Sequence, residues 1–240
     1  MMSIKAVLFD LDGTLLPMDQ DGFIKKYFSE LTAFIVTNGG YDPKAFAGSM
    51  VKGIEAMIGN DGSQTNEEIF WKVFASVHGE EKTKNDLPLF ERFYEEKFIN
   101  TKTVCSFSQK SKEIVDYLKS QSIKRVLATN PVFPSVATYA RTEWAGLAVQ
   151  DFELITTYEN IGYCKPNPAY YADIAKRIGV DPAECLMVGN DTSDDLSAKE
   201  IGMDVFILTP CLINRENIDI STLPHGDFDD LLSYIKKTQV

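Results

Sequence analysis

Two regions of the chain differ in how their apolar residues are spaced. Between residues 18 and 103, apolar side chains recur every three or four positions, which predicts helices with one buried face. Four such helices are expected, over residues 19–38, about 43–58, 65–77 and about 90–98. A charged, polar stretch, 79–86, precedes the last of these helices. The region 18–103 is therefore predicted to be all-helical.

The rest of the chain alternates between short apolar runs and helical patterns. Buried strands are predicted at residues 7–9, 125–128, 153–156, 185–189 and 204–208, with helices between them and a last helix at 228–236. Strands that alternate with helices predict a parallel sheet covered by helices on both faces. The fold class expected is α/β, with a Rossmann-like core (residues 1–17 and 104–240) and an inserted helical cap (18–103). Segments 15–18 and 100–106 would act as hinges of a mobile lid.

The composition excludes several classes of function but adds little about the fold. The 240 residues carry a formal net charge of −11, and no basic stripe is present to neutralise phosphates, so a nucleic-acid partner is not expected. No run approaches the ~20 apolar residues of a membrane span. The four cysteines are widely spaced and the N-terminus lacks a signal-peptide pattern, so a reducing, cytoplasmic location is expected. With only two histidines, a His-rich metal site is excluded and a Ser-His-Asp triad is not expected.

A pair of carboxylates ends the first predicted strand. Asp10 follows the apolar run 7–9, Asp12 lies two residues later, and Gly13 allows a sharp turn. Side chains at positions i and i+2 of an extended chain point the same way, so both carboxylates can face one site. Close carboxylates repel unless a proton or cation lies between them, and oxygen ligands suit Mg²⁺. The alternative is a simple Asp-Gly turn.

Other polar residues follow later strands. Thr129 ends the second strand, Lys165 lies in the loop after the third, and Asp191 and Asp195 follow the fourth. The carboxyl ends of parallel strands meet at one edge of a sheet, so these side chains can converge on Asp10. Singly, each has a plainer explanation as a turn residue, a surface lysine or a helix cap. Together, in this order, they predict one site.

These motifs resemble those of the haloacid dehalogenase superfamily of hydrolases. The matching segments are Asp10-Leu11-Asp12-Gly13-Thr14, Thr129, Lys165-Pro166, and Gly189-Asn190-Asp191 with Asp195. The helical region after the first motif is similar to a cap of that family. The resemblance implies a phosphatase that uses Mg²⁺, forms an aspartyl-phosphate, acts on a small phosphorylated metabolite, and selects it through the cap.

The resemblance also assigns roles. Asp10 would be the nucleophile and Asp12 the acid and base. Thr129, the Asn130 backbone N–H and Lys165 would hold the phosphoryl group. A carboxylate oxygen of Asp10, the backbone carbonyl of Asp12 and the carboxylate of Asp191 would bind the metal. Asp195 would support the metal's waters or pair with Lys165.

Several points stay open at this level. Family members that cleave carbon–halogen bonds typically lack the second Asp, so Asp12 favours phosphoryl transfer, but the motifs do not separate a phosphatase from a sugar-phosphate mutase. A carbon–phosphorus hydrolase and a non-catalytic binding protein are further alternatives. Asn190 stands where many relatives carry the metal Asp, so it could be an outer ligand. In the cap, Lys52 and the turn 59–62 are candidate substrate contacts, and the oligomeric state is not assigned.

Overall fold

The computed structural model describes residues 4–238, in which six strands form one parallel sheet. The strands are β1 (Ala6–Phe9), β2 (Lys124–Leu127), β3 (Leu154–Ile155), β4 (Cys185–Gly189), β5 (Asp204–Leu208) and β6 (His225–Gly226). Their order across the sheet is β3-β2-β1-β4-β5-β6. The expected α/β class with a Rossmann-like parallel sheet is confirmed. The first strand lies in the middle of the sheet, between β2 and β4.

Both faces of the sheet are buried, which explains why its strands are continuous apolar runs. On one face, Val7 and Phe9 of β1 pack with β2, β4 and β5 residues, with helices of the core and with the cap. On the other face, Ala6 and Leu8 pack in a separate cluster with the helix that follows β3. Every β1 residue is inaccessible to solvent, so the end of this strand is held rigidly.

Helices cover both faces and form the insertion. The inserted helices are α1 (Gln20–Gly39), α2 (Pro43–Ile58), α3 (Asn66–His78) and α4 (Glu80–Glu96), followed by a 3-10 helix over Phe98–Val104. The core helices are α5 (Gln109–Ser120), α6 (Ser135–Trp144), α7 (Pro168–Ile178) and α8 (Phe228–Thr238). Shorter 3-10 helices cover Val149–Asp151, Pro182–Glu184, Asp195–Ile201 and Ile220–Thr222.

The ends of two cap helices follow their sequence signals. The Asp42 side chain accepts a hydrogen bond from the Ala45 N–H at the start of α2, and Pro43 occupies the first turn. Thr65 and Glu68 form the expected capping box at the start of α3. Aromatic side chains fill the space between the helices; Phe74, for example, meets Phe90 edge to face. Aromatic side chains thus form much of the packing between the inserted helices, in one cluster with a face of the sheet.

Three elements differ from the sequence prediction. The charged stretch 79–86, placed ahead of the fourth predicted helix, is the start of α4; there Glu80 and Glu81 interact favourably with the helix dipole, and Lys82 pairs with Asp86 at 2.7 Å. The helix continues through Pro88. The segment expected to be a helix up to residue 202 forms a 3-10 helix over Asp195–Ile201, and the two-residue strand β6 was not expected.

The two segments that connect the insertion to the core run side by side. The Ser106 N–H donates to the Pro17 carbonyl at 2.8 Å, and Met18 and Cys105 form an antiparallel bridge. The domain division at residues 17/18 and 103/104 stays a prediction, as do the hinges and the cytoplasmic location. None of the helices in residues 4–238 is long and apolar enough to cross a membrane.

Candidate active site

The residues singled out at the strand ends line one cavity of about 120 Å³. The predicted residues in its wall are Asp10, Asp12, Thr129, Asn130, Lys165, Asn190, Asp191 and Asp195. The cap adds Gln20, Phe23 and Ile24 from α1. Parallel pairing brings the carboxyl ends of β1, β2 and β4 to one edge, so residues more than 180 positions apart share a cavity. We call this space the catalytic cavity.

Asp10 is fixed from both sides as it leaves β1. Its backbone N–H donates to the Val188 carbonyl at 2.9 Å, which continues the β1–β4 pairing. The Lys165 ammonium donates to Asp10 Oδ1 at 2.9 Å and to Asp195 Oδ1 at 2.8 Å. Lys165 is almost completely buried, so its charge acts in a region with little water to screen it. This ion triad orients Asp10 and leaves its second oxygen outside the pairing with Lys165.

Burial and charge act in opposite directions on this triad. Burial raises the pKa of Asp10, Lys165 lowers it, and Asp195 and Asp12 raise it again, to about 7. Burial alone would lower the pKa of Lys165, but Asp10 and Asp195 raise it well above its usual range. Lys165 therefore stays charged. A further cation near Asp10 would favour the ionised carboxylate that a nucleophile requires.

Asp12 has a partner that the sequence analysis missed. The guanidinium of Arg141, on α6, pairs with Asp12 Oδ2 and also donates from Nε to the Ala137 carbonyl at 3.2 Å. Arg141 has no accessible surface. Burial raises the pKa of Asp12 and the ion pair with Arg141 offsets this in part. The other oxygen, Oδ1, is buried and accepts no hydrogen bond from the described residues.

The turn after Asp12 is locked to the loop that follows β4. Gly13 has φ +85°, a left-handed conformation, and the Asn190 amide lies against the position that a Cβ would take. The Thr14 hydroxyl donates to Asn190 Oδ1 at 2.9 Å, and Asn190 Nδ2 donates to the Cys211 carbonyl at 2.7 Å. Both ends of the Asn190 amide are thus engaged by the protein. The geometry favours a clamp over an outer metal ligand.

Hydrogen bonds within the loop after β4 fix the carboxylates of Asp191 and Asp195. Asp191 Oδ1 accepts from the N–H groups of Ser193 and Asp194, and Oδ2 lies 3.4 Å from the exposed Arg215 guanidinium. Asp195 Oδ2 accepts from the Asp191 N–H at 3.0 Å, while its Oδ1 binds Lys165. Asp195 is therefore engaged on both oxygens, whereas Asp191 Oδ2 has only a weak partner.

Thr129 and Asn130 are positioned by buried hydrogen bonds. The Thr129 carbonyl accepts from the Tyr170 hydroxyl at 2.8 Å and from the Thr156 hydroxyl at 2.7 Å. Asn130 Oδ1 accepts from the Lys165 N–H at 3.3 Å. These contacts fix the backbone after β2 where it borders the catalytic cavity.

Both predicted cap contacts, Lys52 and the turn 59–62, lie outside the wall of the catalytic cavity, and the wall contains an acidic residue, Asp194, that was not predicted. Lys52 is exposed on α2 and does not line the catalytic cavity, so no contact supports its expected role. Asp194 does line it, accepts from Asn130 Nδ2 at 3.2 Å, and has a pKa raised to about 6 by burial and by Asp195 and Asp191. Asp194 directly precedes the predicted Asp195. Arg141 lies four residues after Ala137, at the helical spacing of the buried face of α6, and this spacing is the signal that could have identified it.

The donor groups suit a hard divalent cation. Asp191 keeps an oxygen with only a weak protein partner, and the carboxylates of Asp10 and Asp191 both line the catalytic cavity. Within residues 4–238, no three Asp, Glu, His or Cys side chains form a metal-binding cluster. The implied ligand set does not need one, because it comprises two carboxylates and a backbone carbonyl. Oxygen-only donors of this kind fit Mg²⁺.

Comparison with known proteins shows the family of this chain. A family model described as haloacid dehalogenase-like hydrolase matches residues 4–202, which is most of the chain and includes every motif at the strand ends. The chain belongs to this family of hydrolases.

Individual relatives are 25–26% identical to this chain. The chain is 26% identical to a phosphoglycolate phosphatase of Photorhabdus laumondii, over 97% of this chain and 92% of the relative. It is 25% identical to a glyceraldehyde 3-phosphate phosphatase of Methanothermobacter thermautotrophicus, over 95% of this chain and 96% of the relative. A solved 2-haloacid dehalogenase of Pseudomonas syringae has a TM-score of 0.63 at 18% identity, and covers 98% of this chain and 99% of its own. That structural likeness shows the shared fold only.

Proposed function

We propose that this protein is a Mg²⁺-dependent phosphatase that hydrolyses small phosphomonoesters through a phosphoryl group on Asp10. The observation that carries this proposal is the catalytic cavity, where Asp10, Asp12 and Lys165 meet at the end of β1. Relatives named as phosphatases, which match nearly the whole chain, support the same reaction class.

In the first step, the Asp10 oxygen that does not bind Lys165 attacks phosphorus. Lys165 holds the other oxygen at 2.9 Å, so the carboxylate cannot rotate away from the substrate. Asp12 protonates the leaving alcohol oxygen through Oδ1, the oxygen that Arg141 does not occupy. Burial favours the protonated form of Asp12 that this step requires.

In the second step, Asp12 acts in the reverse direction. Once it has given up its proton it can accept one from the water that attacks the phosphorus, and the Asp10 carboxylate leaves. The Thr129 hydroxyl, the Asn130 N–H and the Lys165 ammonium are assigned to the phosphoryl oxygens, where they stabilise developing negative charge.

The metal is assigned to the Asp10 and Asp191 carboxylates and the Asp12 backbone carbonyl. When bound, Mg²⁺ would reduce the repulsion between the anionic nucleophile and the anionic substrate. Asp195 binds Lys165 and the Asp191 N–H, so we assign it to holding the triad and the loop instead of to the metal.

Asp12 also favours a phosphatase over a dehalogenase. A dehalogenase needs no acid at the leaving atom, whereas this chain buries an Arg141-paired carboxylate beside the nucleophile. A mutase uses the same residues and is distinguished by its product. The test is therefore product analysis with an aryl phosphate and with a sugar phosphate, with Mg²⁺ or with a chelator, for the wild type and Asp10→Asn.

Free phosphate that appears only with the metal and with Asp10 would support the proposal. Migration of the phosphoryl group without release of phosphate would replace it with a mutase. Phosphate release by Asp10→Asn at the wild-type rate would remove Asp10 as the nucleophile.

A further inference from the structure

A second, larger cavity adjoins the catalytic cavity and has no role in the steps above. Its volume is about 640 Å³, within the range of small-molecule sites. It lies between all four long cap helices and the core segments 132–136 and 158–159. Ile24, Val132 and Phe133 line both spaces, so the large cavity, which we call the cap cavity, begins where the catalytic cavity ends.

The wall of the cap cavity is mainly apolar and rich in aromatic side chains. Trp71 and Phe90 meet edge to face at 5.0 Å between ring centroids, and the hydroxyls of Tyr27 and Tyr94 lie 2.9 Å apart. Tyr158 approaches from the core side. Such rings offer apolar contact area, and the partial negative charge of their faces attracts cations.

All the charged side chains in this wall have the same sign. Glu67, Glu91, Glu95 and Glu159 line the cap cavity, and the described lining residues include no Lys, Arg or His. Glu159 Oε1 accepts from the Ser135 N–H at 2.7 Å, but its Oε2 is buried and accepts no hydrogen bond from the described residues. Burial, Glu159 and Glu68 raise the pKa of Glu67, which indicates that the carboxylates repel one another.

A buried carboxylate oxygen without a donor is costly unless a ligand satisfies it. A cationic group would satisfy Glu159 and would also lie against the aromatic rings, whereas an anionic group would meet four carboxylates. We propose that the cap cavity binds the leaving group of the substrate, and that this group is a bulky apolar or aromatic alcohol that carries an ammonium group. This inference rests on the proposed phosphatase activity and names its substrate class.

The test compares three benzyl phosphates that differ only at the para position. One carries trimethylammoniomethyl, one its neutral carbon analogue neopentyl, and one carboxymethyl. A methylene group separates each substituent from the ring, so the leaving alcohols have similar intrinsic reactivity. We expect kcat/KM to be about tenfold higher for the cation than for the neutral ester, and lowest for the anion. Glu159→Gln should reduce the preference for the cation, whereas the exposed Glu143→Gln, outside both cavities, should not.

A binding measurement does not depend on turnover. Benzyltrimethylammonium should quench the fluorescence of Trp71, and the quenching should be lost in Trp71→Phe but kept in Trp144→Phe. Phosphate release from the aryl or sugar phosphate but from none of the three benzyl esters would overturn this inference and leave the proposed function standing. If none of these substrates releases phosphate, the proposed function fails, and the quenching alone decides this inference. A kcat/KM for the anionic ester that equals or exceeds the value for the cationic ester would overturn this inference. An affinity for benzyltrimethylammonium that Glu159→Gln leaves unchanged would also overturn it.

Discussion

Replacement of Arg141 by Met tests whether the buried ion pair with Asp12 is essential to the site. Arg141 is completely buried, and Asp12 is its only ionic partner among the described residues. Removal of one partner of a buried pair leaves the other charge uncompensated, at a cost of about 3–5 kcal/mol. For a chain of this length, that corresponds to a fall of roughly 6–20 °C in the temperature of unfolding.

The double variant Arg141→Met/Asp12→Asn identifies the cause of that loss. Without the Asp12 charge, the loss of Arg141 should cost less, so the two single effects should not add. We expect a coupling energy of about 2 kcal/mol in a double-mutant cycle followed by circular dichroism during heating. A coupling energy near zero would refute the reasoning, because it would mean that Arg141 does not compensate Asp12.

Arg125→Met is the matched control. Arg125 is also buried and pairs with Glu153 at 2.9 Å, but it does not line the catalytic cavity. It should lower stability and leave kcat unchanged. Arg141→Met should also lower kcat, by up to about 10²-fold, because the acid and base is no longer held in place. Equal kcat values for the two variants would contradict the assigned role of Arg141.

Three further results are expected. Lys165→Met should lower kcat by about 10²–10³-fold, because the phosphoryl oxygens lose a buried cation. The rate of phosphate release measures this, and a change in KM with no change in kcat would count against it. Arg215→Gln should lower the Mg²⁺ concentration for half-maximal activity, because Arg215 competes weakly for Asp191 Oδ2; a higher requirement would contradict this. Burial and Lys82 lower the pKa of His78, so the unfolded chain binds protons more readily and stability should fall as pH drops below the ordinary value of 6.5. His78→Gln should reduce this pH dependence of thermal unfolding, and an unchanged dependence would exclude His78 as its source.

The central strands and the site at their ends could be predicted because local patterns determine them. In β1 and β4, a run of apolar residues stops abruptly at polar ones, and the parallel sheet then brings these ends together. The starts of α2 at Pro43 and α3 at Asn66 could also be predicted, because capping signals lie within a few residues of the helix that they begin.

Other features depend on contacts that are distant in the sequence. The role of Arg141 depends on Asp12, 129 positions away, and nothing near Arg141 identifies that partner. β6 has two residues and exists because β5 offers it a free edge. The charged stretch 79–86 was placed ahead of the fourth helix because it has few apolar residues, but α4 begins at Glu80, and its buried residues Phe90 and Phe93 pack in the cap.

The most direct test of the central claim is a rapid-quench experiment that traps the phosphoryl group on the protein. The enzyme is mixed with a labelled phosphomonoester and Mg²⁺, stopped in acid, digested and analysed by mass spectrometry. We expect one phosphoryl group on the peptide that contains Asp10, removable by hydroxylamine as an acyl phosphate should be, and absent from Asp10→Asn. Phosphate release at the wild-type rate by Asp10→Asn, or a phosphoryl group on a different residue, would contradict the assignment of Asp10 as nucleophile.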